Sequence, residues 1–132
     1  KMGAPDREVV AIIGDGGYQM TCNELGTILQ TKAAVKIVVL NNSYLGMVRQ
    51  WQELFFDKRY ASTEMVSPNF VKLAEAYDIE AVRVSKREDL AAAIKTMMAS
   101  KEAYFLEVVI EQEDNIFPMI PTGASVSDIR LS

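Results

Sequence analysis

Two short segments of this sequence carry residue types that could do chemistry. Gly14-Asp15-Gly16-Gly17 follows one β-branched run, and Asn41-Asn42 closes a second. Glycines let backbone N–H groups approach a ligand closely, and a helix starting just beyond them offers its N-terminus to an anion. Phosphate suits such a place, yet Asp15 stands in the middle and repels it. A bridging cation reverses that sign. Asp15 then supplies a carboxylate and Asn42 an amide oxygen. Phosphate oxygens, a backbone carbonyl and a water complete an octahedral magnesium shell. Each segment alone is more often ordinary turn chemistry, because Asn tolerates positive φ and Gly-Asp-Gly-Gly makes turns. Their occurrence at two strand ends is what suggests one shared site.

Composition removes most rival chemistries. The chain has no His and a single cysteine, Cys22. Catalytic triads, Cys-His dyads, His-containing zinc sites and internal disulfides are therefore excluded within it. A metal bound here takes mainly oxygen ligands, which selects a hard cation. Acidic residues outnumber basic ones, 18 to 14, with no basic block. That argues against nucleic acid and anionic membranes as partners. No apolar run is long enough to span a bilayer. Gly14-x-Gly16-x-x-Gln19 lacks the third glycine of the dinucleotide fingerprint, and no Gly-x-x-x-x-Gly-Lys-Ser/Thr loop occurs.

The elements that must position these residues follow from periodicity. Glu8–Ile13, Val35–Leu40, Ala81–Val84 and Tyr104–Ile110 are short β-branched runs, each predicted to be a strand; the first reads as buried on both faces. Between them, Met20–Gln30 reads as a helix with a Thr21/Glu24 capping box. Tyr44–Phe56 reads as a helix with Tyr44, Val48, Trp51 and Phe55 along one face. Another starts at Ser67-Pro68 and carries Phe70, Leu73, Ala74 and Tyr77. A last one is capped by Ser85 and Glu88 and striped by Leu90, Ala93, Ile94, Met97 and Met98. Alternating strands and helices predict an α/β domain, a parallel sheet with helices on both faces. In such a sheet ligands bind beyond the carboxyl ends of the strands, where both candidate segments lie. The domain is expected over residues 1–115, with an extended tail over 116–132.

The combination of motifs resembles a known family. Gly14-Asp15-Gly16, Met20-Thr21, Glu24-Leu25 and Asn41-Asn42 resemble the thiamine-diphosphate motif. Gly46-Met47-Val48-x-Gln50-Trp51-Gln52, then Leu54-Phe55 and Arg59-Tyr60, narrow it, as does Pro118-Met119-Ile120-Pro121-x-Gly123. Together they are similar to the C-terminal, diphosphate-binding domain of acetohydroxyacid (acetolactate) synthase catalytic subunits.

That resemblance implies a cofactor, thiamine diphosphate with Mg2+, and a set of roles. Asp15, the Asn42 side chain and the Tyr44 main-chain carbonyl would hold the metal. The diphosphate would lie against Gly14, Gly16, Gly17, Gly46 and Met47. Met47, Trp51 and Thr122 would face the substrate. The implied reaction decarboxylates pyruvate and joins its two-carbon unit to a second 2-ketoacid, 2-ketobutyrate or another pyruvate. It further implies FAD bound mainly in other domains, a homodimer or larger assembly formed through them, a possible regulatory small subunit and a bacterial cytoplasm. The activating glutamate of the family belongs to a pyrimidine domain of a partner subunit, so no catalytic residue is expected here. The chain opens at Lys1 and reads as a fold clipped at its N-terminus, inactive as a synthase alone and exposing apolar surface. Rival readings are a fragment of pyruvate oxidase, glyoxylate carboligase or a decarboxylase, or a non-catalytic nucleotide- or partner-binding α/β module.

Overall fold

The computed structural model describes residues 1–131; Ser132, the last residue of the expected tail, lies outside them. The four β-branched runs form strands β1 (Val10–Gly14), β2 (Lys36–Asn41), β3 (Glu80–Val84) and β4 (Tyr104–Val109). They make one parallel sheet in the order β1-β2-β4-β3. Parallel neighbours need crossovers, and helices supply them. These are α1 (Asp15–Thr21) and α2 (Leu25–Thr31) after β1, α3 (Gly46–Phe55) and α4 (Phe70–Glu75) after β2, and α5 (Arg87–Ala99) after β3.

Period-two alternation along β2 and β4 divides the apolar side chains between two cores. Ile37, Val39 and Phe105 face one side and pack with Tyr18, Leu25, Phe70 and Ala74 from α1, α2 and α4. Tyr104, Leu106 and Val108 face the other and pack with Val84 and with Met97 of α5. Phe70, Phe105 and Leu106 are wholly buried, each such burial being worth about 1.5–3 kcal/mol.

Several local expectations are corrected. β1 is not buried on both faces: Val10 is 41% exposed and Ile12 68%. It is an edge strand, and α5 packs against β3 and β4 rather than against it. The first helix begins at Asp15, not Met20, and the Thr21/Glu24 box does not form. Thr21 Oγ1 donates to the Gly17 carbonyl, and a 3₁₀ turn at Cys22–Glu24 joins α1 to α2. Tyr44 precedes α3 and pairs with Glu64. Val48 and Phe55 on α3 are exposed; its buried residues are Arg49 and Gln50. Asn69, not Ser67, caps α4 by accepting from the Lys72 N–H. No Ser85/Glu88 box caps α5, whose Ile94 and Met98 are exposed because the helix covers only the β3–β4 half of its face.

Candidate active site

Strand order brings three strand exits together: β1 beside β2, and β2 beside β4. β1 passes into α1 without a loop, Gly14 being extended (φ −73°, ψ 156°) and Asp15 the first helical residue. Asp15 is only 1% exposed. Its Oδ2 accepts the Ser43 N–H at 2.9 Å. Burial pushes its pKa up; hydrogen bonds from the Gly16, Ser43 and Asp15 N–H groups pull it back, and the charge of Glu107 adds to the rise. Among the described residues no cation pairs with Asp15. It is a buried carboxylate that lacks a counter-charge, an arrangement that a bound cation relieves.

At the end of β2 the chain reverses sharply. Ser43 adopts the left-handed conformation (φ +59°), uncommon outside glycine and asparagine. Asn41 Oδ1 accepts from the Ser43 N–H (3.1 Å) and Oγ–H (3.4 Å), and Asn42 Oδ1 accepts the Tyr44 N–H at 3.2 Å. Residues 63–65 brace the far side: Met65 donates to the Ser43 carbonyl and Leu45 to the Thr63 carbonyl, both at 2.8 Å. A Cβ on Gly16 would stand 2.6 Å from Leu45 Cδ2, so any side chain at residue 16 would require the Leu45 side chain to shift.

α3 then starts at Gly46 with no side-chain cap, leaving its first N–H groups without intrahelical partners. They open on a cleft of about 400 Å³ lined by Gly14, Asp15, Gly16, Gly17, Asn42, Tyr44, Gly46 and Met47, with Leu45 and Ile116 among its other walls. A carboxylate, an amide and main-chain oxygens, beside unpaired N–H donors, make a donor set that fits a hard cation with a phosphate attached.

The description of the thiamine pyrophosphate enzyme C-terminal TPP-binding domain matches residues 1–108. The chain belongs to that family. The mitochondrial acetolactate synthase of Schizosaccharomyces pombe is 45% identical to this TPP-binding domain over 128 residues, which are 97% of this chain and 19% of that protein. The acetolactate synthase isozyme 2 large subunit of Escherichia coli K12 is 42% identical over 126 residues, 95% of this chain and 23% of its own length. The TPP-binding domain thus spans about a fifth of these relatives. Among solved structures, the thiamine diphosphate-dependent 4-hydroxybenzoylformate decarboxylase of Rhodococcus jostii RHA1 superposes with a TM-score of 0.79 at 29% identity, covering 86% of this chain and 21% of that one.

The three residues expected to face substrate do not gather in one place. In this TPP-binding domain Met47 lines the cleft and is half exposed. Trp51 stacks on Phe55, ring centres 4.9 Å apart, and lines a neighbouring groove with Val48, Gln52, Phe56 and Arg59. Thr122 lies exposed on the tail and lines neither.

The buried face of α3 holds the tail rather than an apolar core. Arg49 bridges Glu53 (3.1 Å) and Glu113 (3.0 Å), with its guanidinium over the rings of Tyr44 and Tyr60. The Gln50 amide pairs twice with Ile116: Nε2 donates to its carbonyl and Oε1 accepts its N–H, each at 2.9 Å. Sequence reasoning named Asn41 and Gln50 only as members of motifs and passed over Ser43 and Glu107. A signal existed for Glu107, a single charge inside the otherwise apolar run Tyr104–Val109.

Proposed function

We propose that this TPP-binding domain is the diphosphate- and magnesium-anchoring part of an acetolactate synthase catalytic subunit. The observation that carries the reading is Asp15, a buried carboxylate with no described cation beside it, lining one cleft with Asn42, Tyr44 and the uncapped start of α3. Identities of 45% and 42% to acetolactate synthases, across nearly the whole chain, support the choice among thiamine enzymes.

In this reading Asp15, the Asn42 amide oxygen and the Tyr44 carbonyl hold Mg2+. Backbone at Gly14, Gly16, Gly17, Gly46 and Met47 receives the diphosphate. When bound, thiamine diphosphate supplies the chemistry of decarboxylating a 2-ketoacid and carrying its two-carbon unit. The chain's own residues anchor, orient and enclose. Ile116, tied to Gln50, forms one wall of the cleft; in this reading Met47, from the cleft, and Trp51, from the neighbouring groove, would face a small ketoacid. In the same reading residues 1–115 would be the anchoring domain and 116–132 its tail, with Thr122, exposed on that tail, closing over the channel when substrate binds. Pyruvate and 2-ketobutyrate as substrates, FAD outside this domain, a homodimer or larger assembly, a regulatory small subunit and a bacterial cytoplasm belong to the same proposal. So does the absence of synthase activity from the 132-residue chain alone; acetolactate formed by that polypeptide would overturn this last point.

Calorimetry on the protein encoded by the full reading frame tests the anchor. Thiamine diphosphate should bind only with Mg2+ present, and Asp15→Ala should abolish that binding. Binding indifferent to both would move the reading to a nucleotide- or partner-binding module. The decarboxylase among the structural neighbours favours a second reading within thiamine enzymes. Product analysis separates the two: acetolactate from pyruvate for the first, an aldehyde without condensation for the second.

A further inference from the structure

Glu107 is out of place by composition. It lies in the middle of β4, 2% exposed, among Phe105, Leu106 and Val108, which are also buried. A buried carboxylate needs hydrogen-bond donors or a counter-charge. Its Oε1 accepts Asn41 Nδ2 at 2.7 Å in a buried contact, while Nε of the half-exposed Arg83 stands 3.7 Å from the same oxygen.

The Asn41 bond has a directional consequence. A carboxylate only accepts, so it fixes which end of the Asn41 amide points inward. The amide nitrogen faces Glu107 and Oδ1 faces Ser43, whose N–H and Oγ–H it accepts. The same Ser43 N–H reaches Asp15 Oδ2. Ser43 is the left-handed residue between Asn42 and Tyr44. With the amide reversed, an N–H2 group would confront the Ser43 N–H, and the turn would lose Asn41 as acceptor, leaving that N–H only Asp15 Oδ2.

We infer that Glu107 is a positioning residue for the metal site: by orienting the Asn41 amide it holds the left-handed turn at Ser43, and with it the Asp15 carboxylate, the Asn42 side chain and the Tyr44 carbonyl. Glu107 lines no part of the cleft; it acts through Asn41. The inference rests on the proposed Mg2+ site.

Mg2+ titrated calorimetrically at saturating thiamine diphosphate, on the full-reading-frame protein, provides the test. Outer-shell partners of metal ligands typically govern about 10–100-fold in affinity. Glu107→Ala is expected to weaken Mg2+ by about tenfold, whereas Glu107→Gln, which keeps an oxygen facing Asn41 Nδ2, recovers most of that affinity. Asn41→Ala is expected to weaken Mg2+ similarly, with no further loss in the double variant. If Glu107→Ala does not fold, Glu107→Gln and Asn41→Ala carry the test. Equal affinity in wild type and Asn41→Ala would overturn the relay. So would a large loss in Glu107→Gln equal to that in Glu107→Ala, which would assign the effect to charge. Asp15→Ala is the control: Mg2+ binding that survives it removes the metal site itself, while its loss alongside an unaffected Glu107→Ala removes only the role of Glu107.

Discussion

The Asp15 carboxylate accepts the Ser43 N–H at 2.9 Å, joining the residue that follows β1 to the turn that follows β2. This one bond couples the two candidate loops. It also accounts for only part of what a buried carboxylate requires, since no described cation pairs with it.

Removing the charge of Asp15 should therefore stabilise the metal-free protein while destroying its metal binding. Burial holds the Asp15 pKa above the ordinary 3.8. Between those two values the native state binds more protons than the unfolded state, so stability falls as pH rises through the window and the penalty is complete above it. Without Mg2+, Asp15→Asn should melt above wild type at pH 7. The gap should close as pH drops below the ordinary carboxylate value. A lower melting temperature for Asp15→Asn at pH 7 would contradict this.

Gly16 tests the meshing of the two exits. A Cβ there meets Leu45 Cδ2 at 2.6 Å and Met65 Sδ at 3.1 Å. Gly16→Ala should cost about 1–3 kcal/mol, as overpacking does, against a helix-propensity gain of at most about 1 kcal/mol. In a Leu45→Ala background the nearest clash is gone, and the same change should be neutral or stabilising. Urea unfolding of the four variants gives the coupling, and additive effects would refute the contact.

The strands and the helix cores were legible because β-branched runs and 3.6-residue stripes are set by burial itself. Ile37, Val39, Phe105, Phe70 and Ala74 all landed in a core. The helix starts were not. Thr21/Glu24 and Ser85/Glu88 have the spacing of capping boxes, but strand-to-helix handovers at Gly14 and Lys86 set those boundaries, and no side chain caps α1 or α5. The residues of the site were legible as turn chemistry at two strand ends. Their supports were not: Glu107 and Asn41 meet only through the β2–β4 pairing, across 66 residues of sequence, which leaves no local pattern. The burial of Arg49 and Gln50 was hidden likewise, because their partners Glu113 and Ile116 lie far along the sequence.

Gln50 should govern attachment of the tail. Gln50→Ala leaves the Ile116 N–H and carbonyl without their partners. At about 0.5–1.5 kcal/mol per hydrogen bond, amide exchange at Ile116 should accelerate by roughly tenfold. Gln50→Glu keeps the acceptor and loses the donor, and should fall between. Exchange at Ile116 indistinguishable from wild type in Gln50→Ala would show that other contacts hold the tail.

The open side of β1 should make the 132-residue chain associate with itself. Val10 and Ile12 together present an exposed apolar strip on an edge strand, a recognised liability. Light scattering should detect association at micromolar to millimolar concentration, and Ile12→Lys should suppress it. A monodisperse monomer before substitution would sink the idea.

The pairing of Gln50 with Ile116 uses main-chain atoms on the tail side alone. Docking is therefore blind to which side chain residue 116 carries. Since that side chain forms part of the cleft wall, evolution or an engineer can reshape the chamber at this position without unfastening the segment that bears it. Cleft shape and attachment are separately adjustable here, one by substituting residue 116 and the other by substituting residue 50.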